Sequence, residues 1–521
     1  MSHSIDPNSP NYAIVPNANR LLWAGFMAIL AAGVGFSVRG ASVLEEWSRA
    51  FGFTQTELGR ITGGGLVGFG VIIIISSFLA EKIGYARLMI FAFLTHFLSA
   101  VITLAAPAVF AAAGRDMTFW CLFVGMFMFA IGNGVCEAVV NPLVATLFPN
   151  NKTHYLNVLH AGWPAGLILG GVASIFMAGN VSWQIQISLF LIPVILYGVM
   201  IFGQRMPATE ASASGLSIGQ ILLQFVSPLL LFLLLIHAMV GYVELGTDSW
   251  IARITGSILD ESTGRWLFVY TSALMFILRF VAGPIVHRIS PLGLLFVSAI
   301  LATIGLYTLG GVGTTAAAIL ALTIYGLGKT FFWPTMLAVV SERFPKGGAV
   351  TLGMVGGVGM LSAGLLGGPG IGFKQDKFAS EKLQQISPET YDRFKAEKEN
   401  QFLVFTTKGL NGTKVSTLGD KGQKLAGEME ILNQAGEQDE NLEGLSSWWS
   451  DAQTYAETDA EPVRQATLHG SRMALKLTAI VPAIMAICYL ILIVYFKSIG
   501  GYAALRIDGE KASGGVEGPV R

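Results

Sequence analysis

Glu137 has the most unusual setting in the chain. It stands inside an apolar run, four residues ahead of the pair Asn141-Pro142. Glu137 and Asn141 therefore share one face of a helix. Pro142 has no N–H for the preceding turn, which frees a carbonyl and permits a kink. A carboxylate at membrane depth costs roughly 2.5–3.5 kcal/mol even on a lenient insertion scale, so such groups mark pathways for solutes or protons. The alternative is a structural Glu that stays protonated or ion-paired.

Three other stretches carry polar groups on apolar helices. Asn157, His160 and Pro164 fall on one face, with Trp163 beside them. A His-Trp patch can hydrogen-bond and stack on a sugar ring, or simply pack between helices. His237, Glu244 and Asp248 are seven and four residues apart, within a narrow helical arc flanked by Tyr242 and Trp250. A polar stripe of that kind faces a cavity rather than lipid. Tyr325, Lys329 and Trp333 repeat the four-residue spacing. Lys329 needs a partner at that depth, and Glu137 or Glu244 are the expected ones. Arg39 is expected to snorkel to the outer surface, and His96 to be a packed histidine.

The elements that position these groups are membrane spans. The 521 residues are 53% hydrophobic and 13% charged, against roughly 25% charged in soluble domains. Twelve apolar runs of about 20 residues or more lie at approximately 20–40, 59–80, 87–111, 118–147, 156–179, 183–203, 226–251, 265–286, 291–311, 315–340, 349–372 and 470–497. They are spans 1 to 12 below. The distribution of Lys and Arg favours both termini in the cytoplasm. Residues 1–19 lack the features of a removable signal peptide. The three cysteines match no metal or redox spacing, and equal numbers of basic and acidic residues suggest no nucleic-acid partner. No phosphate-binding loop or metal-ligand cluster is present, so no enzymatic activity, cofactor or metal is expected.

Residues 373–469 are polar and too long for an ordinary loop. They are expected outside the cytoplasm as a partly ordered insertion. The stretch QFLVFTTKGL alternates like a strand, Ala456–Lys476 reads as a helix leading into span 12, and Trp448-Trp449 is expected to anchor at the interface.

The two parts of the chain repeat one another. Span 2 leads into Ser77-Phe-Leu-Ala-Glu81-Lys82-Ile-Gly84, and span 8 into Arg279-Phe-Val-Ala-Gly283-Pro-Ile-Val-His287-Arg288. Gly132-x-Gly134 then Phe148-Pro149 is matched by Gly326-x-Gly328 then Phe344-Pro345. Both loops resemble the cytoplasmic signature of the major facilitator superfamily. The resemblance implies an all-α fold of twelve helices in two six-helix parts, with a midplane site between them. It also implies a conformational role for Glu81, Lys82, Gly84, Arg279, Gly283 and Arg288, with Arg279 a structural partner of the second loop. Within the superfamily, Glu137-Ala-Val-Val-Asn141-Pro142, Leu156-Asn157 and Trp333-Pro334-Thr335 resemble the fucose–galactose–glucose:proton symporter group. That group has Gln where His160 stands and Asn where Trp163 stands. Its acidic residue near the end of span 1 is replaced by Gly40-Ala41.

The expected organisation is a cytoplasmic tail (1–19), an amino-terminal part (20–203), a linker (204–225), a carboxy-terminal part (226–497) and a cytoplasmic tail (498–521). The expected protein is a monomer in the lipid bilayer of a bacterial inner membrane. Its expected function is secondary active transport of a small hydrophilic solute, a sugar, with protons. Glu137, Asn141, His160, Trp163, Glu244, Asp248, Lys329 and Trp333 are the candidate solute-binding residues, and Glu137 and Glu244 the candidate proton carriers. Two alternatives remain open: transport of an organic anion or sugar acid with Lys329 or Arg39 as counter-charge, and a non-transporting sensor.

Overall fold

The structure, a computed structural model, describes residues 15–39, 42–53, 55–62, 65–177, 180–436 and 438–511. Most of the two tails and the pair Gly40-Ala41 lie outside the described residues. Among the described residues, eleven helices are long and apolar enough to cross a membrane. They cover every expected span but span 8. Its place is taken by the helix Glu261–Arg279, which is less apolar because its first turns carry Glu261 and Arg265.

Spans 1 to 6 are Ala18–Arg39, Gly65–Ile83, Tyr85–Leu104, the part of Ala106–Leu147 after a break at Gly114, Lys152–Met177 and Trp183–Ile201. Spans 7 to 12 are Pro228–Ile258, Glu261–Arg279, the part of Ala282–Leu309 after a break at Ser290, Thr315–Arg343, a helix from Gly348, and Ile480–Ser498. Small residues let the backbones meet. A Cβ at Gly166 in span 5 would stand 2.3 Å from the Leu30 carbonyl of span 1. One at Gly241 in span 7 would stand 2.0 Å from the Gly359 carbonyl of span 11. Beyond that contact, spans 7 and 11 each contain a π-helical turn, Tyr242–Gly246 and Ala363–Gly367, and these turns touch through Gly246 and Gly367. Span 7 is thus widened, not broken, at the turn that carries Glu244.

The repeat in sequence is a repeat in backbone geometry. Gly84 ends span 2 with φ 81°, and Ser290 occupies the matching position before span 9 with φ 66°. Span 4 ends at Phe148 with φ −127° and ψ 65°, and span 10 at Phe344 with φ −128° and ψ 54°. A following proline, which disfavours the helical conformation of the residue before it, stops both helices.

The polar segment 373–469 is folded. Gly368–Ile386 extends span 11 and lies along Ala456–Thr478, which runs through Ala479 into span 12. Between them come Pro388–Phe394, an antiparallel hairpin of Asn400–Phe402 with Phe405–Thr407, and the helices Gly412–Gly419, Gln423–Ala435 and Glu440–Ala452. The expected helix is present, while the stretch read as one strand is a hairpin that turns at Leu403-Val404. Leu383, Phe394, Leu418, Val463 and Ala466 form a small core of their own. Arg393 donates to both oxygens of buried Asp459 at 2.7 and 2.5 Å, and those bonds raise its basicity further. Trp448 and Trp449 correct an expectation. They pack within this subdomain, with Trp448 5.3 Å from the Phe394 ring and donating to the Arg393 carbonyl at 3.2 Å.

The span 7–span 11 contact predicts a stability difference between two glycines. Gly241→Ala should lower the melting temperature of the purified protein by the equivalent of about 1–3 kcal/mol, the usual cost of overpacking. Gly68→Ala, where a Cβ meets nothing within 4 Å, should not.

Candidate functional site

Two prolines and one guanidinium organise the centre of the molecule. Pro164 in span 5 and Pro334 in span 10 lack the N–H groups that would bond the carbonyls four residues earlier, those of His160 and Thr330. The helices are interrupted there, at Ala161 and at Thr330-Phe331. A bare carbonyl inside a membrane protein must find a donor. Arg279, at the end of span 8, serves both: its Nη1 donates to the His160 carbonyl and its Nε to the Thr330 carbonyl at 3.0 Å. Its Nη2 donates to Glu244 Oε1 at 2.9 Å. The other oxygen of Glu244 accepts the Trp333 backbone N–H at 3.2 Å. That N–H belongs to the first turn after the break in span 10, where no helical acceptor exists.

Arg279 therefore corrects the expectation that it serves the neighbouring loop. It is 1% exposed and points inward, because two freed carbonyls and a carboxylate lie there. Glu81, Lys82, Gly84, Gly283 and Arg288 do lie at the loops. Glu81 accepts from Thr209 and Ser212 and from the Ala349 backbone N–H at 2.9 Å, while Lys82 and Arg288 are exposed. Gly283 packs on His154, whose Nδ1 would stand 2.9 Å from a Cβ.

Glu137 belongs to the same centre. Its Oε1 accepts the indole N–H of Trp333 at 3.2 Å and lies 3.7 Å from His160 Nε2. His160 Nε2 is closer to Asn141 Oδ1, at 2.8 Å, and Asn141 Nδ2 donates to the Glu137 carbonyl at 3.0 Å. His237 stacks on Trp333 at 4.6 Å between ring centres. Lys329 is paired with Asp248, neither Glu137 nor Glu244. Those two carboxylates are occupied by Trp333 and Arg279, and Asp248, one turn beyond Glu244, is shielded from outer water. The cluster thus holds three carboxylates (Glu137, Glu244, Asp248) and two cations (Arg279, Lys329). Glu137 is the carboxylate without one.

A cavity opens among Glu137, His160, Trp163, Glu244, Arg279 and Trp333. Asn141, Asp248 and Lys329 stand behind its walls. Phe69, Asn133 and Trp163 also line a wider cavity that reaches Phe36 and Arg39 at the far end of span 1. Arg39 is another correction. It is 1% exposed, lies 4.3 Å over the Phe129 ring and donates to Ser99 at 2.9 Å, while its Nε and Nη1 have no partner among the described residues. Asn133 was overlooked although it precedes Glu137 by one turn on the same face. Its Oδ1 is 2.9 Å from His96 Nε2, and His96 Nδ1 is 2.9 Å from the Tyr197 hydroxyl. With Oδ1 taken by the His96 N–H, the amide NH2 of Asn133 is left for the cavity. Nothing in the sequence marked Phe69 or Met360, which are apolar like their neighbours.

The opposite end, which carries the linker 204–225, is closed. Thr153 donates to Glu342 at 3.0 Å, Asn157 to Thr335 at 3.3 Å and Lys152 to the Ser341 carbonyl at 3.4 Å. The Tyr502 hydroxyl reaches the second Glu342 oxygen at 2.5 Å. Spans 5 and 10 are thereby zipped together beneath the cavity.

A family model described as Major Facilitator Superfamily matches residues 24–368. The chain belongs to this superfamily of transporters. As such it is a multi-pass integral membrane protein. The L-fucose–proton symporter of Escherichia coli (strain K12) is 28% identical over 146 residues, which are 28% of this chain. The match spans 32% of that relative, about a third of its length. Among solved structures, a major facilitator transporter, FucP, in the outward conformation aligns with a TM-score of 0.57 at 18% identity, covering 69% of this chain and 92% of that one. The proton:xylose symporter XylE bound to 6-bromo-6-deoxy-D-glucose aligns with a TM-score of 0.54 at 13% identity, covering 66% and 86%. At these identities the likeness to solved structures is one of fold.

The Arg279 constellation yields a graded prediction. Arg279→Met leaves a buried carboxylate and two carbonyls unpaired and should cost on the order of 3–5 kcal/mol. Adding Glu244→Leu should recover part of the loss. Adding Pro164→Ala and Pro334→Ala, which return N–H groups to His160 and Thr330, should recover more. Thermal melts of the purified variants check the order.

Proposed function

We propose that this protein is a proton-coupled symporter of a neutral sugar, working by alternating access between two six-span parts, 20–203 and 226–497. Glu261–Arg279 serves as span 8 in this reading, which completes a set of twelve. Both termini and the linker face the cytoplasm of a bacterial cell, and 373–469 lies outside as an insertion. The observation that carries the proposal is the charge count around the cavity. With both cations paired, Glu137 alone is unmatched, and one proton makes the cluster neutral. A neutral cluster around a neutral solute can be closed off from water without stranding a charge, which would otherwise cost several kcal/mol.

The chemistry of the walls suits a polyhydroxylated solute. Glu137 accepts, the Asn133 amide donates, His160 offers a ring nitrogen, and Trp163 supplies an aromatic face. The named relatives, symporters of fucose and of xylose with protons, support the same solute class. Trp333 links proton and movement: it belongs to span 10 yet donates to Glu137 of span 4. Protonation of Glu137 weakens this charge-assisted bond and loosens one tie between the two parts. The closed linker end and the wide cavity at the other end correspond to an outward-facing state.

One observation favours a second reading. Among the described residues Arg39 Nε and Nη1 have no partner beside the wider cavity, so the carboxylate of a sugar acid could complete it. Lys329, already paired with Asp248, does not serve that purpose. Competition between a neutral sugar and its uronic acid decides: saturable uptake of the acid alone rejects the neutral-sugar reading.

Two variants test the coupling. In proteoliposomes, Glu137→Gln should abolish accumulation driven by an inward proton gradient while leaving counterflow measurable; undiminished accumulation removes Glu137 from the proton path. Trp333→Phe keeps the ring packing on His237 and removes the indole N–H. Loss of a hydrogen bond to a charged group is worth about 1.5–3 kcal/mol, so accumulation should fall at least tenfold without loss of folding. Uptake assays paired with circular dichroism check both halves of that statement.

A further inference from the structure

The folded segment 373–469 builds a cleft of its own against span 7. Trp250 and Arg253 come from the last turns of span 7, Gln375 and Asp376 from the extension of span 11, and Thr467 and Ser471 from the extension of span 12. The space they border is remote from the central cavity and shares no lining residue with it. Gly412 and Ser416 of the subdomain form the opposite lip.

The polar groups of this cleft are oriented but incompletely used. Asp376 Oδ2 accepts from Asn400 at 3.0 Å. Ser257 donates to the Ile254 carbonyl at 2.8 Å, and Ser471 donates to Gln375 Oε1 at 3.4 Å. With the amide oxygen toward Ser471, Gln375 Nε2 is buried without a partner among the described residues. A buried amide N–H with no acceptor is unfavourable, and a ligand oxygen would relieve it. The Trp250 indole donates to the Gly368 carbonyl at 3.0 Å, which holds the ring in place, and the Arg253 guanidinium lies 5.4 Å from its centre.

We infer that this cleft is a second binding site, for a neutral polyhydroxylated solute such as a monosaccharide. The class follows from the cleft's own groups. Arg253 and Asp376 oppose one another in charge, so neither sign of ligand is favoured. A guanidinium, an amide N–H2, a carboxylate and two hydroxyls alternate donors with acceptors, as a ring of hydroxyls requires. The fixed indole offers an apolar edge to the C–H face of such a ring. Three of the four contributing segments continue directly into spans 7, 11 and 12. An occupied cleft therefore bears on the π-helical turns of spans 7 and 11. The inference stands apart from the translocation reading.

The test uses Ser416→Cys in the full-length protein, an exposed and nearly isosteric change on the lip. The rate of maleimide alkylation at position 416 is followed by peptide mass spectrometry, which separates it from Cys121, Cys136 and Cys488. D-glucose, D-xylose and L-fucose are the probes, with betaine as an osmotic control. At least one sugar should slow labelling several-fold where betaine does not. Gln375→Met and Asp376→Ala, made separately, should each abolish that protection, while Glu137→Gln should leave it intact. Absence of protection by all three sugars overturns the inference. So does protection that survives both cleft substitutions, or protection that vanishes in Glu137→Gln and so belongs to the central cavity. Because labelling needs no transport, a failure of the symport reading leaves this result unaffected.

Discussion

One guanidinium holds the centre of this transporter together. Pro164 and Pro334 free carbonyls in two different spans, and Arg279 answers both while pairing with Glu244. Arg is suited to the task because its donors form a rigid fork, whereas a lysine ammonium offers no fixed geometry. Span 5 belongs to the amino-terminal set of helices and spans 8 and 10 to the other, so the fork ties the sets at mid-depth. The Trp333–Glu137 bond ties them a second time within the same cavity wall.

These ties explain how irregular backbone survives inside the membrane. Broken helices are tolerated at membrane depth where protein groups or a water-filled cavity satisfy them. Here the breaks in spans 5 and 10 both face the cavity, and their exposed groups become the anchors for charged side chains. The same breaks place His160 and Trp333 where a helix would otherwise have turned them elsewhere. The Asp248–Lys329 pair then removes a second cation from the cavity, leaving Glu137 the unmatched carboxylate.

Much of this was legible in sequence because it is local. Apolar run length gives the spans, and a charged residue within one marks the cavity, as for Glu137 and Glu244. The Gly84 turn and the paired Phe-Pro stops follow from motifs a few residues long, whereas the matching turn at Ser290 was not foreseen. What was misread depends on packing between segments far apart in the chain. Lys329 met Asp248 rather than either Glu because helix rotation decides partners, and periodicity does not report rotation relative to a neighbour. Arg279 was read with the loop it precedes, though the two prolines that draw it inward lie in other spans. Arg39 was expected at the surface because it ends an apolar run, yet Phe129, Phe190 and Ser99 enclose it. Trp448 and Trp449 looked like interface anchors because a small core around them was invisible in composition.

The folded segment 373–469 does not only lean on its own set of helices. Its helix Gln423–Ala435 brings Ile431 against Gly52, in the turn after the short helix Ser42–Phe51 of the amino-terminal set; a Cβ on that glycine would stand 3.1 Å from Ile431 Cγ2. An isoleucine tip on a glycine engages few atom pairs, at about 0.1–0.2 kcal/mol each. Thermal energy at ambient temperature is of the same order as their sum. At the linker end, by contrast, Glu342, Thr153, Asn157 and Lys152 bind across the sets through several hydrogen bonds. The two ends of the molecule are thus fastened in different ways, by hydrogen bonds at the linker end and, at the other, by apolar contacts such as Phe176 on Trp266, 6.0 Å between ring centres.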